Sequence, residues 1–212
     1  LVGGGIYWCC AEDGVRLRIG SWQQEGAKGT VFLFLGRTQY LELHGHTIAE
    51  LQKRRYDVLS VDWRGHGLSD RLAKKSTVVH VERFSDYQLD VATMVQIANQ
   101  RRLAKPWYLV GTSLGGCIGL RALVHGMPIT AAAFSSPMWD ISLNWGERAL
   151  AWVLSAAARG LGKGGDLCPG HHADNYALST PFEGKRITND PQMYQVWRDQ
   201  AAAVPELQTG GS

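Results

Sequence analysis

The sequence of 212 residues lacks the features that mark secreted, membrane-spanning and nucleic-acid-binding proteins. Its four cysteines, Cys9, Cys10, Cys117 and Cys168, comprise one adjacent pair and two isolated residues, a spacing that fits neither a disulfide framework nor a CxxC metal site. No apolar run approaches the roughly 18 residues needed to cross a bilayer. The net charge of +3 is too small to indicate a nucleic-acid surface. We therefore expect a cytoplasmic globular protein with reduced thiols.

The histidines do not indicate a metal centre either. His171 and His172 lie near Asp174, and His44 lies near His46, but two histidines in a short segment are more often surface residues than zinc ligands. We expect no metal and no other cofactor.

One segment carries a specific chemical signature. Residues 111–115 read GTSLG, a GxSxG pattern placed between an apolar, strand-forming run and a small-residue stretch of helical character. A sharp strand-to-helix turn strains the serine backbone and leaves no room for bulky neighbours, which explains Gly111 and Gly115. The following helix directs its N-terminal amides at the same point. The pattern predicts Ser113 as a nucleophile and the Leu114 N–H as an oxyanion donor.

Apolar periodicity predicts alternating strands and helices up to residue 137. Two short strands joined at Asp13-Gly14 come first. Continuous apolar runs at 30–35, 57–63 and 129–135 then read as buried strands, in addition to the strand before the GxSxG segment. Helical segments separate these strands, most clearly after a Ser85 cap, where one apolar stripe contains Tyr87, Val91, Met94, Val95 and Ala98. Such alternation is typical of a mostly parallel sheet with helices on both faces.

The character of the chain changes beyond Pro137. Residues 139–160 read as a tryptophan-rich helix and 191–203 as a further helix. We interpret residues 1–137 as the N-terminal part of an α/β core and residues 138–212 as a helical cap or lid. Trp139 and Trp145 are candidates for lining an acyl-chain pocket, with ordinary packing inside the cap as the alternative.

Three specific segments follow one another in a characteristic order: GRTQYLE at 36–42, DWRGHGLSD at 62–70 and GTSLGG at 111–116. Together they resemble the α/β-hydrolase superfamily, and within it the bacterial lysophospholipase and monoacylglycerol-lipase-like group, which is also grouped with serine aminopeptidases. The resemblance covers nearly the whole chain. It implies a doubly wound, mostly parallel sheet with a helical cap insertion, and a hydrolase of lipid metabolism.

The resemblance also implies a second oxyanion donor. In that family the donor is the N–H of the residue after the glycine that follows the first long strand, which corresponds here to Arg37. This chain has Leu35 where many relatives have histidine or proline, a departure that leaves the backbone N–H in place. For Asp62 and His66 we favour a structural role beside the site over a catalytic one.

A serine nucleophile also needs a histidine base and a carboxylate that orients it, and in this fold both follow the serine. His125 lies at the far end of the next helix, about 18 Å from its start at 1.5 Å per residue. His171 and His172, preceded by Asp166, occupy a Pro-Gly loop with no strand before it. The simplest interpretation is that the chain stops before the last strands of the sheet. We then expect the catalytic acid and histidine to lie outside it, and the chain alone to be nearly inactive.

These features predict a serine hydrolase that cleaves carboxylic esters through an acyl-enzyme at Ser113, with lysophospholipids or monoacylglycerols as favoured substrates. The expected partner is a small lipid or ester, with peripheral membrane contact left open and no nucleic acid. Two alternatives also stay open: a serine aminopeptidase on the same scaffold, and a hydrolase-fold protein that binds without turnover.

Overall fold

The centre of the molecule is built from two strands that are buried along their whole length. In the computed structural model, which describes residues 4–73, 77–166, 181–184 and 188–204, these strands are β3, Thr30–Phe34, and β4, Asp57–Asp62. Continuous apolar runs of this kind require packing on both faces of a sheet. Their burial confirms the prediction made for the two segments.

The other strands extend the sheet on both sides of this pair. They are β1 (Gly4–Cys10), β2 (Arg16–Trp22), β5 (Trp107–Thr112) and β6 (Ala131–Ser135). The order is β1-β2-β4-β3-β5-β6, in which β2 pairs antiparallel with both β1 and β4, and all other neighbours are parallel. The predicted mostly parallel sheet is confirmed, with an antiparallel hairpin at its start.

Helices connect the parallel strands. Within the described residues the α-helices are α1 (Gly45–Lys53), α2 (Tyr87–Gln100), α3 (Leu114–Val124), α4 (Trp145–Gly160) and α5 (Pro191–Ala203), with 3-10 turns at Leu41–His44, Phe84–Asp86 and Phe182–Gly184. The predicted apolar stripe of α2 faces the core: four of its members are buried and Val95 is partly buried. In the described part of the chain no helix is both long and apolar enough to cross a membrane.

Two helix starts differ from the sequence prediction. Ser85 does not cap α2, because it lies inside a 3-10 turn in which the Asp86 carboxylate accepts the N–H of Arg83 at 3.0 Å. Helix α4 begins at Trp145 rather than at residue 139. Asn144 forms a capping box there with Glu147: its side chain accepts the Glu147 N–H at 2.9 Å, and its own N–H reaches the Glu147 carboxylate at 2.8 Å.

Strand β6 also differs, in burial though not in existence. The apolar run at 129–135 predicts a covered strand, yet Ala131, Ala132 and Ala133 are exposed, and only Phe134 is partly buried. Among the described strands β6 has a single neighbour, β5. The apolar composition therefore predicts the strand correctly, but it does not predict how much of the strand is buried in this structure.

Buried charges join the layers of the core. The Arg64 side chain is 2% exposed and donates to Asp90 of α2 from Nε at 2.9 Å and from Nη2 at 2.8 Å. Its Nη1 also donates to Asp13, in the turn between β1 and β2, at 2.6 Å. One guanidinium thus connects the hairpin, the loop after β4 and a helix on the sheet.

We expect Asp90→Ala to lower the free energy of unfolding by about 3 to 5 kcal/mol, because it leaves a buried guanidinium without its buried partner. Chemical denaturation followed by circular dichroism measures the change. The matched control is Asp140→Ala, which removes a pair with Arg148 whose side chains are 71% and 55% exposed, and should change stability little. An unchanged unfolding midpoint for Asp90→Ala would contradict this account of the core.

Candidate active site

Ser113 occupies the single residue between β5 and α3. Its backbone has φ +50° and ψ −116°, a region that residues with side chains rarely adopt. Neighbouring backbone holds it there: the Ser113 N–H donates to the Ser135 carbonyl at 3.1 Å, and the Met138 N–H donates to the Ser113 carbonyl at 3.0 Å. The last residue of β6 and the segment that follows this strand therefore bond to the backbone on both sides of Ser113.

The two glycines of the GxSxG segment are required by close approaches of backbone. A Cβ on Gly111 would lie 2.9 Å from the carbonyl oxygen of Gly115. A Cβ on Gly115 would overlap the carbonyl of Phe34, at the end of β3. Close contacts thus exclude a side chain at both positions, but at Gly115 the obstructing group is the β3 backbone and not the serine turn to which the sequence pattern pointed.

The Ser113 hydroxyl is left available for chemistry. A serine at a helix N-cap normally accepts an amide hydrogen bond, but Ser113 makes no such bond, and its side chain is half-buried rather than enclosed. The amides of Gly116 and Cys117 donate to the Ser113 carbonyl, at 2.9 and 3.3 Å. None of the histidines in the described ranges is hydrogen bonded to the Ser113 hydroxyl.

Both residues predicted to donate to an oxyanion lie at this edge of the sheet. Leu114, which is buried, is the first residue of α3, where amides have no partner within the helix. Arg37 follows β3, which runs parallel to β5 with Phe34 opposite Gly111. The contact between Phe34 and Gly115 brings the end of β3 against the start of α3. The two segments that carry Arg37 and Leu114 are therefore neighbours.

The loop after β3 is held by side chains that sequence reasoning missed. The Gln39 side-chain oxygen accepts the Gly36 N–H at 2.6 Å, and the Trp63 indole N–H donates to the Leu35 carbonyl at 2.9 Å. Gln39 lies three residues after Gly36, a spacing that suits a side chain closing a short turn. That spacing was the available signal for Gln39, whereas the contact of Trp63 depends on how two strands are placed side by side.

Asp62 supports the same loop from the end of β4. It is fully buried and accepts the Leu41 N–H at 2.9 Å, the Leu68 N–H at 2.9 Å and the Nε of Arg18 at 2.7 Å. The Arg18 guanidinium also donates to both carboxylate oxygens of Glu42 at 2.7 Å. Burial raises the pKa of Asp62 to about 6, and the adjacent positive charge of Arg18 opposes that rise. These contacts support a structural role for Asp62.

His66 is completely buried in the loop after β4. Its Nδ1 lies 3.0 Å from the Arg64 carbonyl, which can only accept, so Nδ1 carries the hydrogen and donates. Burial lowers the pKa of His66 to about 4, and the nearby Arg71 and Arg37 side chains act in the same direction. The folded protein therefore holds this imidazole neutral.

This burial predicts a pH dependence of stability. The unfolded chain takes up a proton on His66 near pH 6.5, whereas the folded chain does so only near pH 4. Stability from this group is therefore present above pH 6.5 and is lost as the pH falls from 6.5 to 4, by at most about 3 kcal/mol. We expect His66→Asn, which retains a donor for the Arg64 carbonyl, to reduce that loss.

The measurement compares the free energy of unfolding of the two proteins at pH 7.5 and pH 5. The comparison with the variant is needed because Asp62 and Asp90, whose pKa values burial raises to about 6, titrate in the same range with the opposite sign. His46→Gln, at an exposed position, is the control. Equal pH dependence of the wild type and His66→Asn would contradict the interpretation.

The tryptophans singled out in the sequence lie in and before α4. Trp139 packs edge-on against Phe134 of β6, with ring centroids 5.9 Å apart, and is 57% exposed. Trp145 is 88% exposed. The loop after β4 and the residues at and after the end of α4 border an open pocket of about 230 Å³, whose lining includes His80 and Arg159 but neither tryptophan.

The other histidine, acidic and cysteine residues considered as candidates lie away from Ser113 or outside the described residues. His171, His172, Asp174 and Cys168 lie outside the described residues. His125 directly follows the last residue of α3, at the opposite end of the helix from Ser113. Within the described residues no group of three or more histidine, cysteine or acidic side chains is arranged to hold a metal ion.

Comparison with known proteins identifies the family of this chain. A family model described as serine aminopeptidase, S33, matches residues 25–203. The chain belongs to this family. The matched range of the S33 chain contains the loop after β3, the DWRGHGLSD segment and Ser113, and the family resemblance predicted from those segments is confirmed.

Individual relatives of this S33 chain agree with that assignment. It is 27% identical over 209 residues to lysophospholipase L2 of Escherichia coli strain K12, a match that covers 94% of this chain and 58% of that protein. The S33 chain therefore spans little more than half the length of this relative.

Solved structures share its fold. A thermostable carboxyl esterase from Bacillus coagulans superposes with a TM-score of 0.64 at 15% identity, covering 79% of this chain and 54% of that one. A soluble variant of monoglyceride lipase from Saccharomyces cerevisiae superposes with a TM-score of 0.55 at 22% identity, covering 74% and 53%. The S33 chain thus has the α/β-hydrolase fold.

Proposed function

We propose that the protein is a serine hydrolase that cleaves carboxylic esters, with lysophospholipids or monoacylglycerols as substrates. The observation that carries the proposal is the backbone of Ser113, held at positive φ between a strand end and a helix start with its hydroxyl uncommitted. Strain of this kind persists only where the surrounding structure enforces it. Its cost is explained if the hydroxyl must stand clear of the sheet for attack.

In the proposed reaction the Ser113 Oγ bonds to the acyl carbonyl carbon, and the carbonyl oxygen becomes an oxyanion. The N–H groups of Leu114 and Arg37 donate hydrogen bonds to this oxyanion, and the positive end of the α3 dipole stabilises its charge further. A histidine outside the described residues takes the serine proton. The oxyanion then re-forms the carbonyl as the ester C–O bond breaks, and the histidine passes the proton to the departing alcohol. Water then releases the fatty acid from the acyl-enzyme and restores the serine.

The choice of a lipid ester draws on two further features. The relatives include proteins named for lysophospholipid and monoglyceride hydrolysis. Residues 138–212, which we propose as the cap, carry large apolar side chains that are exposed in the described structure, among them Trp139, Trp145, Trp152 at 71% and Leu150 at 59%. Trp139 and Trp145 are proposed to contact the acyl chain, and the same exposed surface suits peripheral contact with a membrane.

The test uses the protein in its full natural length, with a fluorophosphonate probe and three substrate types: a lysophospholipid, a monoacylglycerol and an aminoacyl amide. We expect labelling of Ser113 and hydrolysis of the esters, and a loss of about 10⁴-fold or more in kcat for Ser113→Ala. Thr47→Ala, which removes an exposed hydroxyl of α1 outside the proposed cap, is the control and should behave as the wild type.

Three other results would replace or overturn the proposal of a serine ester hydrolase. Faster hydrolysis of the amide would replace the ester proposal with an aminopeptidase. Ester binding without labelling or turnover would indicate a hydrolase-fold binding protein. Labelling that survives Ser113→Ala would overturn the assignment of the nucleophile.

A further inference from the structure

The turn that carries Arg37 is closed by one side chain. Gln39 accepts the Gly36 N–H at 2.6 Å through Oε1, and the Gln39 N–H donates back to the Gly36 carbonyl at 3.3 Å. Between them Thr38 has φ +62°, a left-handed conformation that the turn has to enforce. Two hydrogen bonds therefore join Gly36 to Gln39, one through the Gly36 N–H and one through the Gly36 carbonyl, on either side of the α-carbon that precedes the Arg37 amide.

His44 makes a second bond to the same oxygen of Gln39. The Gly36 N–H can bond only to the oxygen of the amide group, so the orientation of the Gln39 side chain is settled by its partner. His44 Nε2 lies 3.0 Å from that oxygen and must donate its hydrogen to it. Burial lowers the pKa of His44 to about 4, which keeps the ring neutral at pH 7 and free of an extra charge beside the turn.

The 3-10 turn that carries His44 is itself anchored. The Leu41 N–H at its start donates to buried Asp62 at 2.9 Å, and Leu41 packs in the hydrophobic core. Helix α5 packs against the same turn from the region we propose as the cap. His44 thus connects the Gly36–Gln39 turn to a 3-10 turn that Leu41 anchors to Asp62 and to the hydrophobic core.

We propose that Gln39 and His44 are positioning residues, which hold the turn so that the Arg37 N–H points at the developing oxyanion. This inference rests on the proposed function, because it assigns a supporting role to residues behind the Arg37 amide. Neither side chain contacts the substrate. Gln39 fixes the turn directly, and His44 acts only by fixing Gln39.

The experiment measures ester hydrolysis by the full-length protein with Gln39→Leu, Gln39→Glu, His44→Leu and the Gln39→Leu/His44→Leu double variant. Removing one oxyanion donor typically lowers kcat by about 10² to 10³. A donor that is displaced but still present should cost less, so we expect Gln39→Leu to lower kcat by about 10- to 100-fold with KM changed less than about threefold. Gln39→Glu keeps an acceptor oxygen and should retain most of the activity.

The double variant tests whether the two residues act in series. His44→Leu alone should have a smaller effect than Gln39→Leu, and the double variant should be no worse than Gln39→Leu, because His44 acts through Gln39. Affinity for a trifluoromethyl ketone, which mimics the tetrahedral intermediate, should fall in proportion to kcat/KM, while the melting temperature stays within a few degrees of the wild type. A role in folding alone would lower the melting temperature and leave the inhibitor affinity of the folded fraction unchanged.

The controls separate this inference from the proposed function. If the wild type does not hydrolyse esters, or Ser113→Ala still does, the proposed function fails. If the wild type is active, Ser113→Ala is not, and Gln39→Leu matches the wild type in kcat and inhibitor affinity, only the positioning role is overturned. Should Gln39→Leu not fold, Gln39→Asn, whose shorter side chain cannot reach Gly36, is expected to show the same fall in kcat, and wild-type activity in that variant also overturns the proposal.

Discussion

The close contact between the end of β3 and the start of α3 is the constraint on which the site depends. The Phe34 carbonyl lies where a side chain of residue 115 would begin, so only glycine permits the two backbones to approach this closely. That approach places the loop carrying Arg37 beside the turn carrying Ser113. A larger residue at position 115 would push the end of β3 away from the start of α3, and so move the loop that carries Arg37 away from Ser113.

The DWRGHGLSD segment has its physical explanation in this arrangement. Asp62 accepts the Leu41 amide and the indole of Trp63 donates to the Leu35 carbonyl, so adjacent residues hold the two ends of the loop that follows β3. Burying a carboxylate is costly unless donors surround it, and Asp62 has donors from Arg18, Leu41 and Leu68. These contacts of Asp62 and Trp63 support a structural role for the segment, which is to hold the loop after β3.

Much of this arrangement was predictable because its signals are local. Central strands follow from continuous apolar runs, and the turn at Ser113 follows from two glycines, a strand and a helix in succession. Gln39 also left a local signal in its spacing of three residues from Gly36. The role of Trp63 was not predictable, because it arises from how two strands are placed side by side. The burial of β6 was overestimated for a related reason: alanine-rich strands look alike whether or not another element covers them. Trp145 gave no local signal of its 88% exposure, because a tryptophan in a helical segment has the same sequence pattern whether it is covered or not.

Arg18 gives the antiparallel hairpin a significance beyond closing one side of the sheet. Its side chain, 5% exposed, leaves β2 and binds both Asp62, at the end of β4, and Glu42, in the 3-10 turn that follows the loop after β3. The hairpin thus helps to hold the loop that carries Arg37, the proposed oxyanion donor. Exchange of the first 22 residues for those of a relative would therefore alter the support of that loop, and a chimera that keeps Arg18 should retain the loop better than one that loses it.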